Sequence, residues 1–197
     1  MATAASALPA SPGLSQIERV VDTFVAPSKT FSDILRSASV WLPMLLIVAS
    51  FLASAFVIDK KVGFDQVYAN TLHQSPAQEE RLNGLEPDAK AKAMQTGANV
   101  TRGVTYGLSV GILVIQLIYA LILWGLFNFA LGADTKFPQV FAVSIYALLP
   151  YLVTTLITVA VLYFGGSAES FDQRNPIGTN LAYYLPELER IIQWYRV

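Results

Sequence analysis

The sequence has no cysteine and a single histidine, His73. The first absence excludes disulfides, thiolate metal sites and cysteine nucleophiles. The second excludes a histidine-based metal centre. Charge is scarce as well: 14% of the residues are Asp, Glu, Lys or Arg, against about 25% in an average soluble domain. The net charge is −1, so nothing marks a nucleic-acid binder. His73 stands in a polar stretch with no other ligand type beside it and reads as solvated.

The missing charge is concentrated. Residues 37–58, 103–133 and 137–168 contain no Asp, Glu, Lys, Arg or His. A bilayer core needs about 20 helical residues to cross, and each run is long enough. We expect an all-α, polytopic helical membrane protein with three transmembrane helices near 40–58, 104–132 and 138–165. A soluble bundle would show a polar stripe on each helix. Residues 112–123, ILVIQLIYALIL, have one polar residue, Gln116, and no stripe. The hydrophobic share of 54% and the mean hydropathy of +0.48 agree with lipid as the solvent.

Intramembrane charge is what ion-coupled transport and voltage sensing use, and these spans have none. Enzymes at bilayer depth need paired carboxylates, histidines or a metal cluster, which are also missing. No enzyme activity, cofactor or metal is therefore expected. The polar side chains left within the spans are chiefly Gln116 and Asn128, read as hydrogen-bonding between helices.

Outside the spans, residues 1–16 are rich in Ala, Ser and Pro and read as disordered. They have no basic n-region and no apolar h-region, so the first span is expected to serve as an uncleaved anchor. Residues 17–39 read as an interfacial amphipathic segment, with Ser28 or Thr30 as a helix cap and Phe31, Ile34 and Leu35 on one face. Trp41 opens the first span as an interface anchor, and Pro43 falls in its first turn. The polar loop 59–102 carries two helix-start patterns, Ser75-Pro76-Ala77-Gln78 and Glu86-Pro87, and the second is expected to run into the second span. Asn99-Val100-Thr101 fits the glycosylation triplet, which is common by chance. The short spacer 133–137 makes spans two and three an antiparallel hairpin. Pro150 falls inside the third span and should kink it near Leu148–Tyr151. Residues 183–197 read as an amphipathic C-terminal helix with Trp194 as a second interface anchor.

What the spans do contain is small residues at helical spacing. Gly103, Gly107 and Gly111 fall within about 80° of one face at 100° per residue. In water each would cost about 1 kcal/mol against alanine. In lipid a small-xxx-small face lets another helix approach closely. The first span offers Ala49/Ala53 and Ser50/Ser54 at the same spacing, and the third offers Thr154/Thr158. Three readings stay open: packing within one chain, a homodimer seam, or the glycine content common to membrane helices.

FVAPSKTFSDILRSASVWLPMLLI is similar to the opening segment of Yip1-domain membrane proteins, bacterial members in particular. VIDKKVGFDQV, FNFALGADTKFPQVFAVSIYALLPYLV and NPIGTN resemble the same group, so the likeness covers about residues 18–182. The resemblance implies a multi-pass membrane protein without catalysis, in the bacterial inner membrane, with a cytoplasmic N-terminus. Eukaryotic relatives act in vesicle trafficking with Rab-type GTPases, a partner not carried over here. The family pattern has five spans, so the chain resembles a member shortened at its C-terminus. The Lys/Arg count points the other way on orientation. Lys60, Lys61, Lys90, Lys92, Arg102 and Arg174 lie on the 59–102 side, and Lys29, Arg36 and Lys136 on the other.

Two functions follow as expectations. The first is a non-enzymatic membrane organiser or trafficking-like scaffold acting through helix packing. Its partners would be the lipid bilayer, a homo-oligomer or other membrane proteins. The alternative is a transporter or channel component, with Pro150 as a gating kink and Gln116 and Asn128 lining a path.

Overall fold

The computed structural model describes residues 13–177. The C-terminal helix expected over 183–197, Trp194 and residues 1–12 of the N-terminal stretch lie outside that range. The described residues are helical, with no strand among them. In chain order they form α1 (Gln16–Val25), α2 (Pro27–Arg36), α3 (Trp41–Lys61), α4 (Phe64–His73), α5 (Pro76–Asn83) and α6 (Pro87–Gly125). A π-turn (Leu126–Ala130), α7 (Phe137–Tyr146) and α8 (Pro150–Phe164) follow. Among the described residues, three stretches are long and apolar enough to cross a membrane: Trp41–Lys61, Pro87–Ala130 and Phe137–Phe164, each with an 18-residue section whose mean hydropathy is 2.3, 2.4 and 2.1 in turn.

Local chemistry explains most helix boundaries. Ser15 caps α1 in a reciprocal box: Glu18 N donates to Ser15 Oγ at 3.2 Å and Ser15 N to Glu18 Oε2 at 2.7 Å. The Ser15 backbone N–H, followed by its side chain, holds the Glu18 carboxyl below the usual carboxylate range. The cap expected at Ser28 or Thr30 is different in the structure. α2 starts at Pro27, its cap position is Ala26, and no side chain caps it. Pro27 explains this, since its ring presets the first helical turn and leaves one fewer N–H to satisfy. Thr30 is buried and donates to the Arg19 carbonyl at 2.9 Å. α3 stops at Gly63, whose φ of 80° is a conformation that side-chain-bearing residues rarely adopt. Val62 N and Gly63 N both donate back to the Ile58 carbonyl, at 2.9 and 3.0 Å. α5 and α6 begin at the two prolines that mark them in the sequence. The helix is interrupted over residues 147–149, immediately before Pro150.

The described residues divide into two compact units, 13–44 with 116–149 and 45–115 with 150–177. In the first, α1 packs on α2 and α2 on α7. Its fully buried side chains include Arg19, Ile34, Ile145, Tyr146 and Leu149. In the second, α4 packs on α5. Its core gathers Val57, Ile58, Phe64, Val67, Leu162 and Phe171, and burying each Phe side chain contributes about 1.5–3 kcal/mol. α4 follows from its own spacing: Phe64, Val67 and Leu72 are buried, and they recur at helical intervals.

Candidate functional site

In the first unit, a charge is buried. Arg19 is 1% exposed. Its Nε donates to Asp33 Oδ2 at 2.6 Å, and Nη2 lies 2.6 Å from the same oxygen. Nη1 donates to the Ser37 carbonyl at 2.7 Å. Asp33 Oδ1 is taken by Arg36, whose Nε donates at 2.9 Å. Burial alone would raise the Asp33 pKa. The hydrogen bonds from Arg36 and then Arg19, with their charges, outweigh it and hold the carboxyl below its ordinary value. Around this pair, Tyr146 Oη donates to the Ser39 carbonyl at 3.3 Å, and Gln139 Nε2 to the Leu35 carbonyl at 2.9 Å. Buried ions are costly unless paired and fully hydrogen-bonded, and here both conditions are met. The network fixes α1 and α2 on α7.

That leaves an apolar stripe on α1 uncovered. Ile17, Val21, Phe24 and Val25 are all exposed at i, i+4, i+7 and i+8, one helical face. On α2, Ile34 is buried while Leu35 is 67% exposed. The exposed apolar face of this region therefore lies mainly on α1, a helix not distinguished from α2 by sequence pattern alone. Trp41 is 60% exposed.

The two polar residues of the second span use their hydrogen bonds within this same unit. Gln116 is buried and its Nε2 donates to the Ser144 carbonyl of α7 at 2.8 Å. Asn128 closes the hairpin. Its Nδ2 donates to Thr135 Oγ1 at 2.7 Å and to the Trp124 carbonyl at 2.9 Å, and its Oδ1 accepts from Thr135 N at 2.9 Å. Trp124 Nε1 donates to the Thr135 carbonyl at 2.9 Å, and its ring meets Phe129 and Phe137 edge-on.

In the second unit, Arg102 pairs with Asp59 at the end of α3, and Tyr106 Oη donates to the same carboxylate at 3.2 Å. Lys61 sits 4.1 Å from the Tyr163 ring centroid. Buried Asn70 ties the segment after α8 to α4. Its Nδ2 donates to the carbonyls of Ala168 and Phe171 at 2.9 and 2.8 Å, and its Oδ1 accepts from Gln66. Gln173 Nε2 donates to Thr105 Oγ1 at 2.8 Å. These bonds fold residues 168–176 over a cavity of about 640 Å³, walled by Phe51 and Ala55 of α3, Val104 and Leu108 of α6, and Tyr151 and Thr158 of α8.

The small residues take different places. A Cβ added at Gly103, Gly107 or Gly111 would meet no atom of the described residues within 4 Å. Ala49 and Ala53 are exposed. Ser50 donates to the Ile47 carbonyl at 2.8 Å, while Ser54 and Thr154 line the cavity. By contrast, a Cβ on Gly97 would run into the Tyr68 ring. No group of three metal-ligating side chains occurs among the described residues.

Three long apolar helices joined by short polar ones define a polytopic α-helical integral membrane protein. The Yip1 domain model matches residues 21–193, nearly the whole chain, and the chain belongs to the Yip1 domain family. No curated protein and no solved structure gives a match to it.

Proposed function

We propose that the protein is a non-enzymatic organiser of the membrane, a trafficking-like scaffold that works by offering helix faces to other membrane-embedded chains. The observation that carries this reading is the open face of α6. Gly103, Gly107 and Gly111 stand in one stripe where an added Cβ would meet nothing within 4 Å beyond the helix itself among the described residues, on the span with the lowest internal burial, 11%. Glycine stripes earn their place in lipid by letting a second backbone come close, so the partner is a second copy or another membrane protein. The exposed stripe of α1, with Trp41, lies in the headgroup layer and orients the chain there.

Support for this reading over a conducting path comes from Gln116 and Asn128, whose side-chain donors are engaged by carbonyls and a hydroxyl of the chain itself. The reading places the chain in a bacterial cytoplasmic membrane with its N-terminus on the cytoplasmic side. Reporter fusions at Asn70 and Asp134 test that placement, and a cytoplasmic reporter at Asn70 would reverse it.

Because the chain has no cysteine, a Gly107→Cys variant carries one thiol. Crosslinking it in native membranes should give a covalent homodimer or an adduct with another membrane protein. Gly107→Leu should abolish that association while the chain still folds. If Gly107→Cys remains monomeric under crosslinking, the scaffold reading fails.

A further inference from the structure

The cavity of the second unit has a chemistry of its own. On α6 it runs from Val100 to Ile112, about 18 Å along the helix. That is a little over half of a hydrocarbon core about 30 Å thick, the depth of one leaflet. Its volume of about 640 Å³ falls in the roughly 300–1,000 Å³ range of ligand sites.

The wall is largely apolar, and four of its hydroxyls are already engaged within α6 and α8. Thr101, Ser109, Thr155 and Thr158 each donate to the carbonyl one turn back, at 2.8–2.9 Å. Thr105 Oγ1 is engaged by Gln173. Among the described residues, no buried side-chain nitrogen or oxygen is left without a partner. Ser54, Tyr151 and Thr154 add hydroxyls to the wall, but most of it is apolar surface that a hydrocarbon chain covers without any donor. Among the described residues, the one charged side chain of the lining is Arg174. It lies in the segment that Asn70 and Gln173 hold across the Thr101–Thr105 end, beside the level where Arg102 pairs with Asp59. Arg174 is exposed and forms no ion pair among the described residues. An arginine fork beside an apolar slot one leaflet deep complements a phosphate carried on an acyl chain.

We propose that this cavity is a phospholipid site: one acyl chain fills the space between α3, α6 and α8, and the headgroup phosphate is held by Arg174. Native mass spectrometry of the full chain in mild detergent tests it, with three probes: phosphatidylglycerol, diacylglycerol of the same chain length, and inorganic phosphate. One phosphatidylglycerol should be retained per chain. Diacylglycerol, which lacks the phosphate, should bind about tenfold more weakly, and inorganic phosphate should not bind. Arg174→Gln should weaken phosphatidylglycerol retention to the diacylglycerol level. Thr154→Trp, which fills the cavity from an exposed position, should abolish retention of both lipids. Equal retention of the two lipids, or retention unchanged in Arg174→Gln, overturns the proposal. Should Thr154→Trp fail to fold, the Arg174→Gln comparison decides alone, because that exposed side chain lies outside every helix. Crosslinking through Gly107 is unaffected by either outcome.

Discussion

Arg19 and Asp33 face each other in the interior of the first unit, with two guanidinium nitrogens 2.6 Å from one carboxylate oxygen. The side chains are only 2% and 10% exposed. Removing Arg19 leaves the buried Asp33 with Arg36 as its remaining charged partner, so the loss stays below the full cost of about 3–5 kcal/mol for an uncompensated buried charge. Arg19→Ala should therefore loosen α1 and α2 and raise the proteolytic sensitivity of residues 17–36 in detergent. A loss below about 1 kcal/mol, the range of an exposed pair, would show that water reaches the pair.

The same pair sets a response to acid. Arg36 and Arg19 depress the Asp33 pKa, so the unfolded chain takes up the proton first as pH falls. The stabilisation is complete above the unfolded value of about 3.9 and disappears as pH drops through the lower folded value. Protease protection of residues 17–36 should fade below about pH 4, and Asp33→Asn should reduce that dependence, leaving the share that Glu18 and its cap contribute. Protection in the native chain that rises toward low pH would contradict the sign.

Gly97 and Tyr68 test close packing between α6 and α4. A side chain at 97 displaces the Tyr68 ring, and overpacking of this kind costs about 1–3 kcal/mol. Gly97→Val should lower the melting temperature, and Tyr68→Ala in the same chain should recover part of the loss. At Gly103, where a Cβ meets nothing, the same measurement on Gly103→Ala should show no fall for the isolated chain. A fall matching that of Gly97→Val would mean that something packs there too.

Gln116 reaches the Ser144 carbonyl at 2.8 Å. Interhelical hydrogen bonds in membranes average about 0.6 kcal/mol, with a maximum of about 1.7. Gln116→Leu should thus destabilise the chain by no more than that in a detergent unfolding titration. A larger loss would assign the residue a role beyond joining α6 to α7.

The three apolar stretches could be read from sequence because a run without charge is visible residue by residue. The starts of α5 and α6 were visible for a similar reason, since Pro76 and Pro87 act locally. Arg19 was not. Its burial depends on Asp33 and on carbonyls at 37 and 39, none of them adjacent to it in sequence. The missed cap at Ala26 shows the opposite problem: Ser28 and Thr30 have the right chemistry, but Pro27 begins the helix before them. The cavity was hidden too, because a space bounded by Phe51, Val104 and Tyr151 belongs to no single segment.

α6 begins well before its lipid-embedded part. From Pro87 to Arg102 it extends about 24 Å outside the uncharged run, in one unbroken hydrogen-bonded rod. Such a rod has no slack. A load applied at Lys90 or Lys92 is handed along it to Gly97 and Arg102, where the rod meets Tyr68 of α4 and Asp59 of α3.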